Sequence, residues 1–122
     1  MPRRAAYLLL LSLLMAGTGC YYDNEEALYP GVCEVGEPAL PGYWATTVQP
    51  LIMTRCAVAG CHVAGGTGTG DFTQYANVKS AVDNGTFQYQ VFTARTMPTT
   101  GPLPACEIQK LEAWVHEGAS DQ

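Results

Sequence analysis

The side chains with chemical potential are concentrated in one stretch, Arg55-Cys56-Ala57-Val58-Ala59-Gly60-Cys61-His62. Two thiols followed at once by an imidazole are the residue types of a covalent c-type haem attachment site. The thiols add to the two haem vinyl groups and form thioethers. The histidine held beside the second thiol supplies an imidazole ligand to iron. The common spacing places two residues between the cysteines; here there are four. The longer spacer must bulge outward to keep both sulfurs at the vinyl positions, and Ala57, Ala59 and Gly60 are small enough to let it. Two other chemistries use the same residues. One is a Cys56–Cys61 disulfide with a chance histidine beside it. The other is half of a zinc site, which needs further ligands, and His116 is the only other histidine in the chain.

A second donor lies downstream, in Thr96-Met97-Pro98-Thr99-Thr100-Gly101-Pro102-Leu103-Pro104. A methionine in a Pro/Gly-rich loop suits a distal thioether ligand. Proline restricts the unfolded loop, so less entropy is lost when the sulfur is fixed in place. The plainer role for an isolated methionine is to fill the core. No catalytic triad, carboxylate pair or nucleotide-binding loop stands out elsewhere. The glycines at 65, 66, 68 and 70 are not followed by a P-loop lysine, so they read as a flexible loop around the haem edge.

Helices are expected to position these groups. Val48, Leu51, Ile52 and Arg55-Cys56 recur at helical spacing. Pro50 belongs in a first turn, so this helix is expected to start near Val48 or Gln49 and to deliver Cys56 at its C-terminal end. Met53 is expected to pack in the core. A second helix is expected with Thr73 as its cap, Tyr75, Val78 and Val82 on one face, and Gly85 at its end. Phe87 to Thr93 is expected to form a short helix, with Phe87 and Phe92 towards the haem pocket. Cys106 to His116 closes the chain as a helix with an apolar stripe of Ile108, Leu111, Trp114 and Val115. Pro104 suits its start and Gly118 its stop. The stripe is expected to pack against the helix before Cys56, with His116 facing solvent.

The front of the chain reads as an export signal. Arg3 and Arg4 precede a short leucine-rich run, Ala5 to Ala16, too short for a stable membrane span. Gly17-Thr18-Gly19-Cys20 follows and resembles a bacterial lipoprotein processing site. Cleavage there would leave Cys20 as a lipidated N-terminus; ordinary secretory cleavage would leave it a free thiol. Either route places the protein in an oxidising compartment. Residues 1–19 are therefore assigned as signal peptide, 20–43 as a lipidated tether and extended lead-in, and 44–122 as the functional domain. The whole chain carries a formal charge of −5, and loss of Arg3 and Arg4 makes it more acidic. That balance argues against nucleic acid as a partner and favours a redox partner with a basic face.

Residues 44–119 resemble a class I-type cytochrome c domain. The motifs that carry the resemblance are Gln49-Pro50-Leu51-Ile52, Cys56/Cys61-His62, Met97-Pro98 with Gly101-Pro102-Leu103, and Leu111-x-x-Trp114-Val115-x-x-Gly118-Ala119. The chain as a whole is also similar to small bacterial lipoproteins in which Cys20-Tyr21-Tyr22-Asp23 and Glu25-Glu26-Ala27-Leu28-Tyr29-Pro30 lead into such a domain. The resemblance implies an all-α, cytochrome c-like fold: N- and C-terminal helices packed around one covalently bound haem, with long loops. It implies a single haem c, with His62 proximal and Met97 distal. The four-residue spacer departs from the common family pattern.

Five cysteines is an odd number for an exported chain. With Cys20 assigned to lipid and Cys56 and Cys61 to haem, Cys33 and Cys106 remain, and a disulfide between them is expected. It would clamp the lead-in to the start of the last helix. The function expected is that of a membrane-anchored, monohaem electron carrier in the bacterial cell envelope, facing the periplasm or the outer surface. The alternatives are a haem peroxidase or ligand sensor with a labile Met97, and a non-haem, disulfide-stapled lipoprotein that serves as a binding module.

Overall fold

A computed structural model describes residues 33–122. The expected signal peptide and the lipidation site at Cys20 lie outside the described residues. Trp44–Val48 forms a π-helical turn that runs directly into α1, Gln49–Arg55. Then come α2 (Tyr75–Asp83), a single turn α3 (Thr86–Gln88) continuing into a second π turn over Tyr89–Thr93, and α4 (Ala105–His116). No strand occurs among the described residues, which are all-α. None of their helices is long and apolar enough to cross a membrane.

Helical backbone thus begins earlier than Pro50 alone suggests. Proline lacks the N–H that an α-helix would direct to the carbonyl four residues back. The wider π register lies immediately before it: the Gln49 amide donates to the Trp44 carbonyl, and α1 proper starts with proline in its first turn.

The core forms where this segment meets α4. Val48, Ile52, Leu111 and Trp114 are almost wholly buried. Trp44 lies 5.3 Å from Trp114, ring centre to ring centre, and 5.0 Å from Tyr75 in an edge contact. Such aromatic pairs add about 0.5–1.5 kcal/mol beyond the area they bury. The apolar stripe of α4 therefore packs against the N-terminal helical segment, largely through the turn that precedes α1. Val78 and Val82 of α2, with Phe72, Phe87, Val91 and Leu103, complete the core.

Glycine ends two of the helices. Gly85 follows α2 with φ +79°. After α4 the Gly118 amide donates to the Val115 carbonyl and the Ala119 amide to the Trp114 carbonyl, a pair of bonds that satisfies carbonyls left open at a helix C-terminus. The wholly buried Ala119 also takes a positive φ, +53°. Two core side chains fix this turn: Tyr75 Oη donates to the Ala119 carbonyl at 2.8 Å and Trp114 Nε1 to the Ser120 carbonyl at 2.7 Å.

A disulfide joins Cys33 to Cys106, the first turn of α4. Buried Tyr43 reinforces the join: its hydroxyl lies 2.7 Å from the Val35 carbonyl and 3.3 Å from that of Lys110. Three local expectations need correction. Met53 is 41% exposed rather than packed in the core, because it lies on the side of α1 away from Val48 and Ile52. Thr73 makes no cap to α2. Its amide and hydroxyl both bond to the Asp71 carboxylate, whose backbone carbonyl takes the Asn77 side chain. Phe92 packs on the core edge-on to Phe87, and of the two only Phe87 reaches the cavity described next.

Candidate functional site

A cavity of about 520 Å3 opens beside the C-terminal end of α1. Its size is within the range of small-molecule and cofactor clefts, roughly 300–1,000 Å3. Cys56, Cys61, His62 and Met97 all line it. Val58, Phe72, Ala81, Phe87, Val91 and Pro98 supply apolar wall. Arg55 is the single charged residue in the lining.

Cys56 reaches the cavity because α1 ends there. The amides of Cys56 and Ala57 both donate to the Ile52 carbonyl, at 2.9 and 2.8 Å, and turn the chain out of the helix. The four-residue spacer then bulges as its length requires. Ala59 and Gly60 are exposed, Gly60 has φ +83°, and Ala57 stays buried. The loop closes on itself: the His62 amide donates to the Cys56 carbonyl at 3.2 Å. Cys56 and Cys61 both remain free thiols, unlike Cys33 and Cys106. Burial above all, then the neighbouring Cys61 and Glu107, pushes the Cys56 thiol up to about 11.

The glycine-rich stretch is a built part of the site rather than a slack loop. Thr67 donates to the Gly60 carbonyl with both its amide and its hydroxyl, at 3.0 and 2.9 Å. The Gly68 amide donates to the Cys61 carbonyl, and the Phe72 amide to the His62 carbonyl. These bonds bring the Thr69 carbonyl to 3.0 Å from His62 Nδ1. A carbonyl can only accept, so Nδ1 carries the hydrogen and the neutral ring keeps its lone pair on Nε2. Metal-binding histidines are commonly oriented by such a bond. Phe72 stacks on the imidazole at 4.2 Å, with the planes 9° apart.

Met97 comes from the other end of the chain. Its loop is fastened to the second π turn: the amides of Thr96 and Met97 both donate to the Gln90 carbonyl, at 2.9 and 3.2 Å. The Gly101 amide closes a turn onto the Pro98 carbonyl. Met97 is half-buried against the core and lines the same cavity as His62.

Arg55, one residue before Cys56, forms a two-pronged ion pair with Glu107. Nε lies 2.9 Å from Oε2 and Nη2 2.6 Å from Oε1. The carboxylate raises the guanidinium's affinity for its proton, and the pair ties the cavity end of α1 to the first turn of α4. His116 lies at the far end of α4, exposed and away from the cavity. Among the described residues no three of His, Cys, Asp and Glu gather into a metal-binding group.

Sequence reasoning singled out four side chains that line the cavity but not what surrounds His62. The Thr69 carbonyl carries no residue signature, because every residue has one. The available signal was the density of glycine beside a histidine, and the stacking role of Phe72 had none. No protein-family model, no curated protein and no solved structure matches this chain.

Proposed function

We propose that this protein is a monohaem c-type cytochrome, anchored to the cell envelope through Cys20, that passes single electrons between redox partners. The observation that carries this reading is the convergence of two free thiols, one oriented imidazole and one thioether on a single apolar cavity. The residues present suit a haem c. Cys56 and Cys61 would form the thioether bonds, His62 Nε2 would be the proximal ligand and Met97 Sδ the distal one. The all-α architecture, with the helical segment before Cys56 packed on the last helix, is the arrangement expected of a class I-type cytochrome domain.

When bound, haem supplies a one-electron couple, which a His/Met ligand pair biases towards the reduced form. The chain does the rest. Thr69 holds the His62 tautomer, the Gln90 carbonyl holds the Met97 loop, and the apolar part of the wall would pack against the bound group. His62 and Met97 together would leave the iron no position for substrate, which would favour electron transfer over peroxidase or sensor chemistry. A basic face on the partner would complement the chain's acidic balance.

The reading is tested on the exported full-length chain, made in a host able to mature c-type haem. A pyridine haemochrome spectrum after acid–acetone extraction should show haem that resists removal. Cys61→Ala or His62→Ala should abolish most of that loading. Colourless wild-type protein would overturn the reading and leave the non-haem, disulfide-stapled lipoprotein in its place.

A further inference from the structure

The structure assigns a positioning role to two glycines, Gly66 and Gly68: they form a cradle that holds the His62 ring in one tautomer and one orientation. The cradle is defined by what a side chain there would strike. A Cβ at Gly66 would lie 2.0 Å from the Cys61 carbonyl oxygen. Only glycine lets the loop approach the attachment segment so closely. A Cβ at Gly68 would lie 2.8 Å from His62 Nδ1 and 2.9 Å from both Cε1 and Cγ. A point almost equally distant from an atom and its two ring neighbours lies above the ring face, not in its plane. Gly68 therefore occupies space over the imidazole that any other residue would take for its own side chain. The ring's remaining constraints are the parallel ring of Phe72 and the Thr69 carbonyl on Nδ1.

The two positions differ from the other glycines of the run. Gly65 has φ +77° and Gly70 φ +84°, so they answer a backbone need, and a Cβ at Gly65 would meet nothing. Gly66 and Gly68 have no positive φ, and their need is for space alone. An alanine at 68 must press the ring towards Phe72, which covers the opposite face, or swing it away from the Thr69 carbonyl. Either movement weakens the bond that keeps hydrogen on Nδ1 and lets the ring sample the Nε2–H form, which offers no lone pair at Nε2. The use of the cradle to orient an iron ligand rests on the haem reading above. Its existence does not.

The test compares Gly68→Ala with Gly65→Ala, each in the full chain. Gly65→Ala imposes backbone strain without touching the ring, so it controls for general damage to the loop. In mildly alkaline buffer, where histidine is ordinarily neutral, long-range 1H–15N correlation reads the His62 tautomer directly in the haem-free protein. The expected result is pure Nδ1–H in the wild type and in Gly65→Ala, and loss of that pure state in Gly68→Ala. Haem-loaded Gly68→Ala should also show altered EPR g-values at unchanged thioether attachment. A wild-type tautomer in Gly68→Ala, or the same change in both variants, overturns the proposal. Colourless wild type would defeat the haem reading while leaving the tautomer comparison intact.

Discussion

Removing the Cys33–Cys106 bridge by the double substitution Cys33→Ser/Cys106→Ser should cost a large share of the domain's stability without disrupting the native contacts around it. The bridged residues are 73 apart in sequence. In the chain-entropy model a loop of that length restricts the unfolded chain by about 4 kcal/mol. Small domains hold only about 5–15 kcal/mol in total. With a urea dependence of about 2 kcal/mol per molar, the unfolding midpoint should fall by roughly 2 M, followed by far-UV circular dichroism. The native contacts beside the bridge should survive, because the effect arises in the unfolded state. Tyr43→Phe tests this. Its hydroxyl bonds the Val35 and Lys110 carbonyls, and its loss should cost about 1 kcal/mol with or without the bridge. A midpoint shift below about 0.5 M would refute the loop-closure argument. If Tyr43→Phe cost nothing once the bridge was absent, residues 33–43 would owe their docking to the disulfide itself.

Met97→Ala should lower the midpoint potential and admit small ligands such as carbon monoxide or cyanide to the iron; an unchanged potential would remove Met97 from the ligand set. Leu111→Ala empties space at a residue only 1% exposed, and should lower unfolding free energy by about 2–5 kcal/mol in the same urea assay. The third prediction concerns pH in chain expressed without haem maturation. Burial raises the Cys56 thiol from 9.0 to about 11, so the unfolded state gives up this proton more readily than the folded one. The thiol's contribution is fully present below pH 9 and is lost as pH rises towards 11. The total loss is about 2–3 kcal/mol at 1.36 kcal/mol per unit. Comparison with Cys56→Ala isolates it from the buried tyrosines, and equal alkaline slopes in both proteins would count against a buried thiol.

The parts of this molecule that are legible in sequence are those encoded by side-chain type or period. The spacing of Leu111 and Trp114 marks the core face of α4. Gly85 and Gly118 mark helix ends because few other residues tolerate their backbone angles. Assigning Cys20 to lipid and Cys56 and Cys61 to haem leaves Cys33 and Cys106 for each other, and these two are bonded. Cys56, Cys61, His62 and Met97 share one cavity. What was not legible is encoded by backbone. The π turns before α1 and after α3 have no periodic signature, since they shift the register by a single residue. Met53 sits among apolar neighbours in sequence, yet whether α1 buries it depends on where α4 lies. Tyr43 falls at the end of the expected lead-in, yet it is buried in the core, as is Trp44, the first residue of the expected domain.

The histidine environment shows why such a site resists reading from one chain. Of the groups that act on the His62 ring, Phe72 acts through its shape, Thr69 through a carbonyl that any residue would supply, and Gly68 through the absence of a side chain. Each is silent in a search for reactive residue types. The glycines at 65, 66, 68 and 70 read as slack because glycine is most often used for backbone freedom. Two of the four are here for the opposite reason. Close approach at Gly66 and Gly68 removes freedom from the loop and from the imidazole, and the ordered hydrogen bonds of Thr67, Gly68 and Phe72 follow from that approach. A glycine-dense stretch beside a candidate metal ligand is therefore better read as a demand for space than as a hinge. The φ of each glycine separates the two readings: at Gly65 and Gly70 the backbone needs the residue, and at Gly66 and Gly68 the neighbouring groups do.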